Sequence, residues 1–338
     1  MAAFGWPAPL ASAQTGSPTS GKKLALKKPA TKKKAYSAKA SRARRAKVAR
    51  ARAVAAARQL KEVQEPQFKL DAAGALVPDV RAEAAIIYNP ATGEILWESN
   101  SQNTRSIASI TKVMTAAVFL ENDADLSQQV VVTRADVTRA STTYLRTGYK
   151  VTTGDLLHLL LIASDNAAAR VLARVSPHGS DGFIDRMNAK ADELGLDHTY
   201  YADPSGLLAA NVSSAYDMAR LISYVSKDER ISSVMQKAEY TASVGRTSVT
   251  VRSTNQLVRN GDVDVLGGKT GFITKAGYCL ATLLRLPQGG PQIAVVVLGA
   301  KSNAGRFWET RHLFNWLANK TQDILSTKVE AAATGAAN

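Results

Sequence analysis

The first 61 residues of the sequence contain no aspartate or glutamate. They contain sixteen of the 43 lysines and arginines, in a chain whose net charge is +15. Subtracting these sixteen charges from +15 leaves about −1 for residues 62–338. The basic character therefore belongs to an N-terminal segment, and the body of the protein does not have the composition of a nucleic-acid-binding domain.

Cysteine, clustered histidine and long apolar runs are also lacking. The single cysteine, Cys279, excludes an intramolecular disulfide, and its apolar neighbours indicate a small core residue. The four histidines are scattered without the spacing of a metal site, so the sequence predicts neither a metal nor another cofactor. No stretch approaches the roughly 20 apolar residues of a membrane-spanning helix, which predicts that the protein is not an integral membrane protein.

Composition divides the chain into four parts. Residues 1–13 end in Ala-Ser-Ala, a small-x-small pattern, and are interpreted as the remnant of a signal peptide, with a disordered leader as the alternative. Residues 14–80 are rich in Lys, Arg, Ala, Ser and Pro, which predicts a disordered basic tail that binds anionic polymers. Residues 81–320 are the predicted folded domain, and residues 321–338 a frayed C-terminal tail.

The order of the predicted elements gives the fold class. Two short strands open the folded domain, 84–88 and 95–97, joined by the turn sequence Asn-Pro-Ala-Thr-Gly. Two strong strands close it, 277–285 and 292–300, followed by a last helix from residue 303. Helical patterns fill the middle. This arrangement predicts an α+β fold, in which an antiparallel sheet formed by both chain ends is flanked by helices and carries an inserted, mainly helical subdomain.

A serine and a lysine at the start of one buried helix form the first candidate site. Ser109 and Lys112 are three residues apart, a spacing that places both side chains on one helical face. A hydroxyl beside an amine is the arrangement of an activated nucleophile. Such a pair also arises by chance in a chain of this length, so its value depends on the other polar groups.

Two further polar triplets follow in the chain. They are Ser164-Asp165-Asn166, which interrupts two buried helical patterns, and Lys269-Thr270-Gly271 before the closing strands. In this order, the three motifs are the Ser-x-x-Lys, Ser-x-Asn and Lys-Thr-Gly signature of penicillin-binding proteins and serine β-lactamases. Residues 82–318 resemble the low-molecular-mass penicillin-binding proteins, the D-alanyl-D-alanine carboxypeptidase and endopeptidase family. The stretches that carry the resemblance include SIASITKVMTA (106–116), LIASDNAA (161–168), DPSGL (203–207) and GGKTGFITKAGYCL (267–280).

The resemblance implies a serine peptidase with an acyl-enzyme intermediate. Ser109 would be the nucleophile, and Lys112 the base, which must be neutral and therefore needs a pKa lowered by burial and by the charge of Lys269. Ser164 would pass the proton to the departing amine. Asn166 would orient Lys112 and hold the substrate amide. Substrate binding at the terminal carboxylate is assigned to Lys269, Thr270 and Gly271. The backbone N–H groups of Ser109 and Phe272 would form the oxyanion hole. Asp165 fits a helix cap as well as a catalytic role.

Two other functions share parts of this pattern. A class A β-lactamase needs a further carboxylate in a Glu-x-x-Leu-Asn pattern, and the nearest sequence, residues 193–197, does not fit it. A basic module that binds anionic polymer, with a vestigial catalytic domain, is disfavoured because all three motifs are intact.

The expected activity is hydrolysis of D-Ala-D-Ala stem peptides or cross-links of peptidoglycan, with β-lactams as ligands of the same serine. The short chain after the last core helix and the sequence TTYLRTG (142–148) favour the endopeptidase over the carboxypeptidase. Such an enzyme acts outside the cytoplasm, in the periplasm or on the cell-wall side. The basic tail is then expected to bind anionic wall or envelope polymer, with DNA as the rival that requires a cytoplasmic protein.

Overall fold

The structure is a computed structural model that describes residues 32–335. The chain divides into two units, with the boundary between Ala56 and Ala57. The helices are α1 (Lys32–Gln64), α2 (Lys112–Phe119), α3 (Arg134–Val137), α4 (Thr153–Ile162), α5 (Asn166–Val175), α6 (Gly179–Glu193), α7 (Ala215–Val225), α8 (Glu229–Met235), α9 (Gln256–Asn260) and α10 (Asn303–Gly335).

The strands are β1 (Phe68–Leu70), β2 (Leu76–Pro78), β3 (Ala84–Asn89), β4 (Glu94–Ser99), β5 (Arg105–Ser106), β6 (Gln129–Val131), β7 (Lys150–Thr152), β8 (Val212–Ser213), β9 (Glu239–Val244), β10 (Thr247–Arg252), β11 (Asp264–Ile273), β12 (Gly277–Arg285) and β13 (Gln292–Ala300). Five of them form the main antiparallel sheet, in the order β11-β12-β13-β3-β4. At its centre β13 pairs with β3, with Ala294 opposite Tyr88 and Leu298 opposite Ala84. The predicted sheet built from both chain ends is confirmed.

Side chains on the two faces of this sheet belong to two separate cores. Ile87 and Val295 face a core that is completed by apolar side chains of α10. Ile86 and Val296, their neighbours along the strands, face the larger core formed with the helices of the middle region. Successive side chains of a strand point to opposite faces, so these nearly continuous apolar strands bury both faces of the sheet.

The helices of the middle region carry clear end signals. Helix α4 has Thr152 as its N-cap, whose hydroxyl accepts a hydrogen bond from the backbone N–H of Asp155, and α7 begins in the same way after Ser214. Between α4 and α5 the chain turns through residues 163–165, where Ser164 has a φ of 60°. The predicted interruption of two buried helices by a polar triplet therefore exists, and it holds that triplet at one end of two packed helices.

Three predicted boundaries differ from the structure. Residues 32–64, predicted as disordered, are helical in α1, because Ala, Lys, Arg and Gln favour a helix intrinsically and this segment contains no Gly or Pro. The hairpin β1–β2 also lies inside the predicted basic tail, and its turn is closed by Asp71, whose side chain accepts from two backbone N–H groups. The backbone of residues 321–335, predicted to be frayed, continues α10.

The interpreted signal-peptide remnant, residues 1–13, lies outside the described residues. Of the helices between residues 32 and 335, none combines the length and apolar character needed to cross a bilayer.

Candidate active site

The candidate nucleophile lies in a tight turn that immediately precedes helix α2. Ala108–Thr111 form a single 3₁₀ turn, and Lys112 is the first residue of α2. Ala108 adopts a φ of 49°, a left-handed conformation that is uncommon for residues other than glycine. Ser109 is half-buried, whereas its neighbours on both sides are buried. The turn thus presents one hydroxyl at the surface of an otherwise closed core.

The amine of Lys112 is fully buried and makes three polar contacts. Its Nζ lies 2.9 Å from Ser109 Oγ, 2.6 Å from Asn166 Oδ1 and 2.5 Å from the carbonyl oxygen of Ser205. The amide of Asn166 is itself fixed, because its Nδ2 donates to the carbonyl oxygen of Ala140 at 2.7 Å. The Lys112 amine is therefore held against the serine hydroxyl by two oxygen acceptors of fixed orientation.

Burial lowers the pKa of Lys112 from 10.5 to about 7 and is the largest cause of that shift. The positive charge of Arg170 acts in the same direction, while the carboxylates of Asp203 and Asp165 favour the charged amine and oppose it. A large share of the amine is thus neutral near neutral pH. The charge of Lys269 was expected to lower the pKa of Lys112, but the repulsion affects the pKa of Lys269 instead. Burial, and then the charge of Lys112, lower the pKa of Lys269 well below its usual value.

The three residues of the second motif have different roles: Asp165 caps a helix, and Ser164 and Asn166 reach the cleft. Asp165 is the N-cap of α5, with Oδ1 accepting from the backbone N–H of Ala168 and Oδ2 accepting from the backbone N–H of Tyr144. Burial raises the pKa of Asp165. These contacts assign Asp165 the structural role that the sequence allowed. Ser164 and Asn166, on either side of it, face the cleft.

The third motif lies on β11, an edge strand of the main sheet. Lys269 is buried, and its Nζ donates to Ser164 Oγ at 2.8 Å and to the carbonyl oxygen of Thr270 at 2.9 Å. Thr270 Oγ1 donates to Thr254 Oγ1 at 2.6 Å. The first and third motifs therefore each contribute one buried amine, and each amine contacts one serine hydroxyl.

Two glycines allow the backbone to approach Ser109, the candidate nucleophile. A Cβ added to Gly271 would lie 2.5 Å from the carbonyl oxygen of Ile107 and 3.2 Å from the backbone nitrogen of Ser109. A Cβ on Gly206, which has a φ of 77°, would lie 2.0 Å from the carbonyl oxygen of Ala108. Any larger residue at either position would displace the 3₁₀ turn, so the Lys-Thr-Gly strand and the Asp-Pro-Ser-Gly segment pack directly against it.

A cleft of about 440 Å³ joins these groups. Of the predicted site residues, it is lined by Ser109, Ser164, Asn166, Thr270, Gly271 and Phe272. Lys112 and Lys269 lie beneath this surface and reach it through their hydrogen bonds to the two serines. The structure therefore brings together every residue that the sequence assigned to the site.

Three contributors were missed by the sequence analysis. The carbonyl group of Ser205 accepts from Lys112, Thr254 contacts Thr270, and Arg306 lines the cleft from helix α10. The Arg306 guanidinium is buried and donates to the carbonyl oxygen of Gly271 at 2.9 Å. Only the Asp-Pro-Ser-Gly turn gave a signal for any of them. Within residues 32–335, no group of three His, Cys, Asp or Glu side chains could hold a metal ion.

A family model for D-alanyl-D-alanine carboxypeptidases, peptidase family S11, matches residues 71–302. The chain belongs to this family. Its S11 match begins ten residues before the predicted start of the folded domain, so it includes part of the hairpin β1–β2. Membership confirms the predicted family and the predicted enzyme class, a serine peptidase of the DD-peptidase type.

Individual S11 relatives and a solved structure agree with this assignment. The chain is 32% identical over 246 residues to a D-alanyl-D-alanine endopeptidase of Pseudomonas aeruginosa, covering 72% of this chain and 79% of that protein. It is 31% identical over 252 residues to the D-alanyl-D-alanine carboxypeptidase DacC of Escherichia coli, covering 71% of this chain and 62% of that protein. The crystal structure of the Streptomyces K15 DD-transpeptidase superposes with a TM-score of 0.66 at 29% identity, covering 71% of this chain and 97% of that one. The predicted fold class is thereby confirmed.

Proposed function

We propose that this S11 enzyme hydrolyses D-alanyl cross-links of peptidoglycan as a DD-endopeptidase, through an acyl-enzyme on Ser109. The observation that carries the proposal is the 2.9 Å contact between Ser109 Oγ and the buried amine of Lys112, whose pKa is lowered to about 7. A nucleophilic serine needs a neighbouring base that is neutral at working pH, and this pair meets that requirement.

The hydrogen bonds around Lys112 support its role as the base. A neutral amine has two N–H donors and one lone pair. Asn166 Oδ1 and the Ser205 carbonyl oxygen can only accept, so they take the two N–H groups. The lone pair is then directed at Ser109, whose hydroxyl proton it can remove.

Acylation uses the remaining groups of the cleft. Ser109 Oγ attacks the D-alanine carbonyl carbon, the carbon–nitrogen bond of the scissile peptide breaks, and the serine proton is transferred to the departing amine. We assign the last transfer to Ser164, because its hydroxyl is held in the cleft by Lys269 at 2.8 Å. The backbone N–H groups of Ser109 and Phe272 are assigned to the oxyanion, and water then releases the acyl group.

Substrate binding is assigned to the strand β11 and its neighbours. Thr270 and Lys269 would meet the carboxylate beyond the scissile bond, and Gly271 leaves space for the substrate beside the nucleophile. An arriving carboxylate would favour the charged form of Lys269, whose burial otherwise disfavours it. Asn166 orients Lys112, and its Nδ2 group is already bonded to Ala140, so a bond to the substrate amide needs its second N–H.

The endopeptidase is favoured over the carboxypeptidase by the relatives. The endopeptidase of Pseudomonas aeruginosa aligns over 79% of its own length, and the carboxypeptidase DacC over 62%. More of the endopeptidase is thus represented in this chain at nearly the same identity.

Digestion of purified peptidoglycan, with the products separated by chromatography, tests the activity. The wild type is expected to remove cross-linked dimers, whereas Ser109→Ala leaves them intact. Ser106→Ala is the matched control, since Ser106 lies three residues earlier and its hydroxyl has no hydrogen-bond partner in the described residues. Loss of terminal D-alanine from monomers would instead identify a carboxypeptidase, and identical products from wild type and Ser109→Ala would refute the assignment.

Labelled penicillin provides the second readout. Because penicillin resembles an acyl-D-Ala-D-Ala terminus, it should acylate Ser109 and be released slowly, in wild type and Ser106→Ala but not in Ser109→Ala. Rapid turnover of the label would favour the β-lactamase alternative.

We further propose that the enzyme acts outside the cytoplasm and that its basic segment, residues 14–61, binds anionic wall or envelope polymer. The described side chains of α1 between Ala40 and Ala55 are exposed and include five arginines and a lysine, with no acidic residue among them. Such a helix attracts polyanions, and salt weakens the attraction.

Sedimentation with purified wall tests this binding. A variant that lacks residues 14–61 is expected to remain in the supernatant at low salt, where the full chain sediments, and added salt should release the full chain. Equal sedimentation of both proteins would contradict the proposal. Retention of the full chain by DNA but not by wall would favour the cytoplasmic rival.

A further inference from the structure

The segment Asp203–Leu208 is folded around a single carboxylate. Asp203 Oδ1 accepts from Ser205 N and Ser205 Oγ, both at 2.6 Å, and from Gly206 N at 2.9 Å. Its Oδ2 accepts from Leu208 N at 2.7 Å and from Asn211 Nδ2 at 3.3 Å. Five donors thus converge on one side chain. An amide of the same shape could not accept all of them, because its NH₂ group would face another donor.

This folded segment is tied to the 3₁₀ turn that carries Ser109 and to helix α2, which begins with Lys112. Asn211, which is fully buried, donates to Thr111 Oγ1 at 3.2 Å, and Thr115 on α2 donates to the carbonyl oxygen of Pro204 at 2.5 Å. The close approach of Gly206 to Ala108 closes the third side of the contact. The segment that is folded around the Asp203 carboxylate is therefore fixed against the 3₁₀ turn and α2.

The folding of this segment fixes the direction of the carbonyl group of Ser205. It lies 2.5 Å from Lys112 Nζ and is one of the two acceptors that direct the amine at Ser109. The direction of this carbonyl group follows from the turn at Ser205 and Gly206, and both of their backbone N–H groups are bound by Asp203.

We propose that Asp203 is a positioning residue for the general base: it orients the Ser205 carbonyl group toward Lys112. The negative charge of Asp203 also favours the protonated form of the Lys112 amine. The inference rests on the proposed function of Lys112 and adds a residue outside the three motifs. Acylation is then limited at low pH by an ammonium group that Asp203 stabilises.

Other charges also act on the Lys112 amine. Asp165, at the start of α5, favours its protonated form, and Arg170, farther along α5, disfavours it. Lys269 on β11 shares the cleft floor, and the charge of Lys112 lowers its pKa. Because these three remain in place when Asp203 is changed, the effect of Asp203 can be measured against a constant background.

The test is the rate of Ser109 acylation by labelled penicillin between pH 5 and 9. Asp203→Asn removes the charge, so the acid limb of the rate profile should move to lower pH by roughly 0.5–1 unit. The plateau rate should fall about 10-fold or more, because the amide cannot hold all five donors and the Ser205 carbonyl group moves. A purely structural residue would lower the plateau without moving the limb.

Asp217→Asn is the matched control. Asp217 is likewise an acceptor of several donors in a neighbouring loop, and it is more buried than Asp203: it accepts from His198 N and Thr199 Oγ1 at 2.8 Å each. Its loss should lower stability and leave the acid limb unchanged. An acid limb of folded Asp203→Asn that coincides with that of wild type would overturn the inference.

A second variant keeps the inference testable if thermal melting shows that Asp203→Asn does not fold. Asp203→Glu retains the charge and displaces the segment by one methylene, so its plateau should fall while its limb stays at the wild-type pH. An unchanged plateau in that variant would overturn the inference. Absence of labelling in the wild type would overturn the proposed function itself, and this inference with it.

Discussion

Two lysine amines lie buried beneath one cleft, although proteins seldom bury such groups. Lys112 is 0% exposed and Lys269 is 1% exposed. Burying an ammonium group is unfavourable, and burial accordingly lowers the pKa of both amines. The cleft therefore carries an intrinsic cost in stability, of the kind that is retained where reactivity requires it.

The variant Lys112→Met should be inactive but more stable than wild type. The unfolded chain protonates Lys112 near pH 10.5, whereas the folded chain does so only near pH 7. As the pH falls from 10.5 to 7, the unfolded state alone gains the proton, so wild-type stability declines over that window and levels off below it. Methionine removes this decline, and we expect a gain of roughly 1–3 kcal/mol at pH 7.

Urea unfolding at pH 7 and pH 10, with labelled penicillin as the activity readout, measures both effects. The stability difference between Lys112→Met and wild type should shrink at the higher pH. A variant that is less stable than wild type at pH 7 would contradict the prediction.

Side-chain chemistry could be predicted from the sequence far better than backbone chemistry. Ser109, Lys112 and Lys269 were found because their residue types and spacing are informative. The Ser205 carbonyl group was missed, because every residue has a carbonyl group and only the fold decides which one reaches an amine. Arg306 was missed for a related reason: a single arginine in a terminal helix resembles a solvated surface residue until its burial is known.

At the scale of secondary-structure elements, short irregular turns position the serine side chains of the cleft. The proposed nucleophile, Ser109, lies on one 3₁₀ turn, and Ser164 lies at a left-handed turn between two buried helices. Left-handed conformations at Ala108 and Ser164 each cost of order 1–3 kcal/mol and persist because the surrounding contacts fix them. Asp165 is one such contact, since it binds the start of α5 and residues 143–144 at once.

The variant Asp165→Ala should lose both stability and acylation rate. It removes the cap of α5 and leaves the backbone N–H of Tyr144 without its acceptor, at a cost of about 1–3 kcal/mol. The neighbouring Ala140 carbonyl group, which holds Asn166, should shift with that loop.

Ser214→Ala is the control for Asp165→Ala, because Ser214 caps α7 through the backbone N–H of Asp217 and lies outside the cleft lining. It should lose about 0.5–2 kcal/mol while labelling of its folded fraction by penicillin stays at the wild-type rate. Equal acylation rates for the two capping variants would refute the link between Asp165 and the cleft.

The variant Gly271→Ala should remain folded and lose about 100-fold or more in acylation rate. The added Cβ would meet the Ile107 carbonyl oxygen at 2.5 Å, so β11 and the nucleophile turn must separate. Gly182→Ala in α6 is the control. Its Cβ would meet only His178 Cβ at an ordinary 3.7 Å, and replacing a helical glycine should raise stability by about 0.5–1 kcal/mol. Stopped-flow acylation of Gly271→Ala at the wild-type rate would rule out this close approach.

Local propensity and tertiary packing explain which elements were predictable. The strands β12 and β13 were predicted with their observed bounds, since both are continuous apolar runs between turn residues. Helix α1 was predicted as disordered because the sequence has no apolar stripe to pack. An apolar stripe is needed only by a helix that packs against a core. The described side chains of α1 are exposed, so its helical form rests on the intrinsic helix propensity of its residues.

In the unit Ala57–Asn338, the main sheet lies between the core of the middle helices and the core beneath α10, and Arg306 of α10 also reaches the cleft. The cleft and its buried lysines lie with the helical middle region, while Leu313 and Phe314 of α10 pack against the opposite face of the sheet. Stability and chemistry are therefore supplied in part by different layers of the fold.

The variant Leu313→Ala should be destabilised without a change in the cleft. Leu313 is fully buried, so truncation should cost about 2–5 kcal/mol in urea unfolding. Leu70→Ala, at a leucine that is 68% exposed, should change stability by no more than about 0.5 kcal/mol. Both variants should bind penicillin at the wild-type rate under native conditions. A slower rate for Leu313→Ala would mean that the two layers are coupled.

The pairing of β3 with β13 has a consequence for folding during synthesis on the ribosome. Strand β3 is synthesised early and β13 more than 200 residues later, yet they are neighbours at the centre of the sheet. Contacts between residues so distant in sequence form slowly, because a long loop must close before any pairing is gained. A ribosome has to synthesise the chain as far as β13, Gln292–Ala300, before the central sheet can close. Until then β3 and β4 lack their partner strand, so completion of the main sheet has to wait for β13, the last strand of the domain to be synthesised.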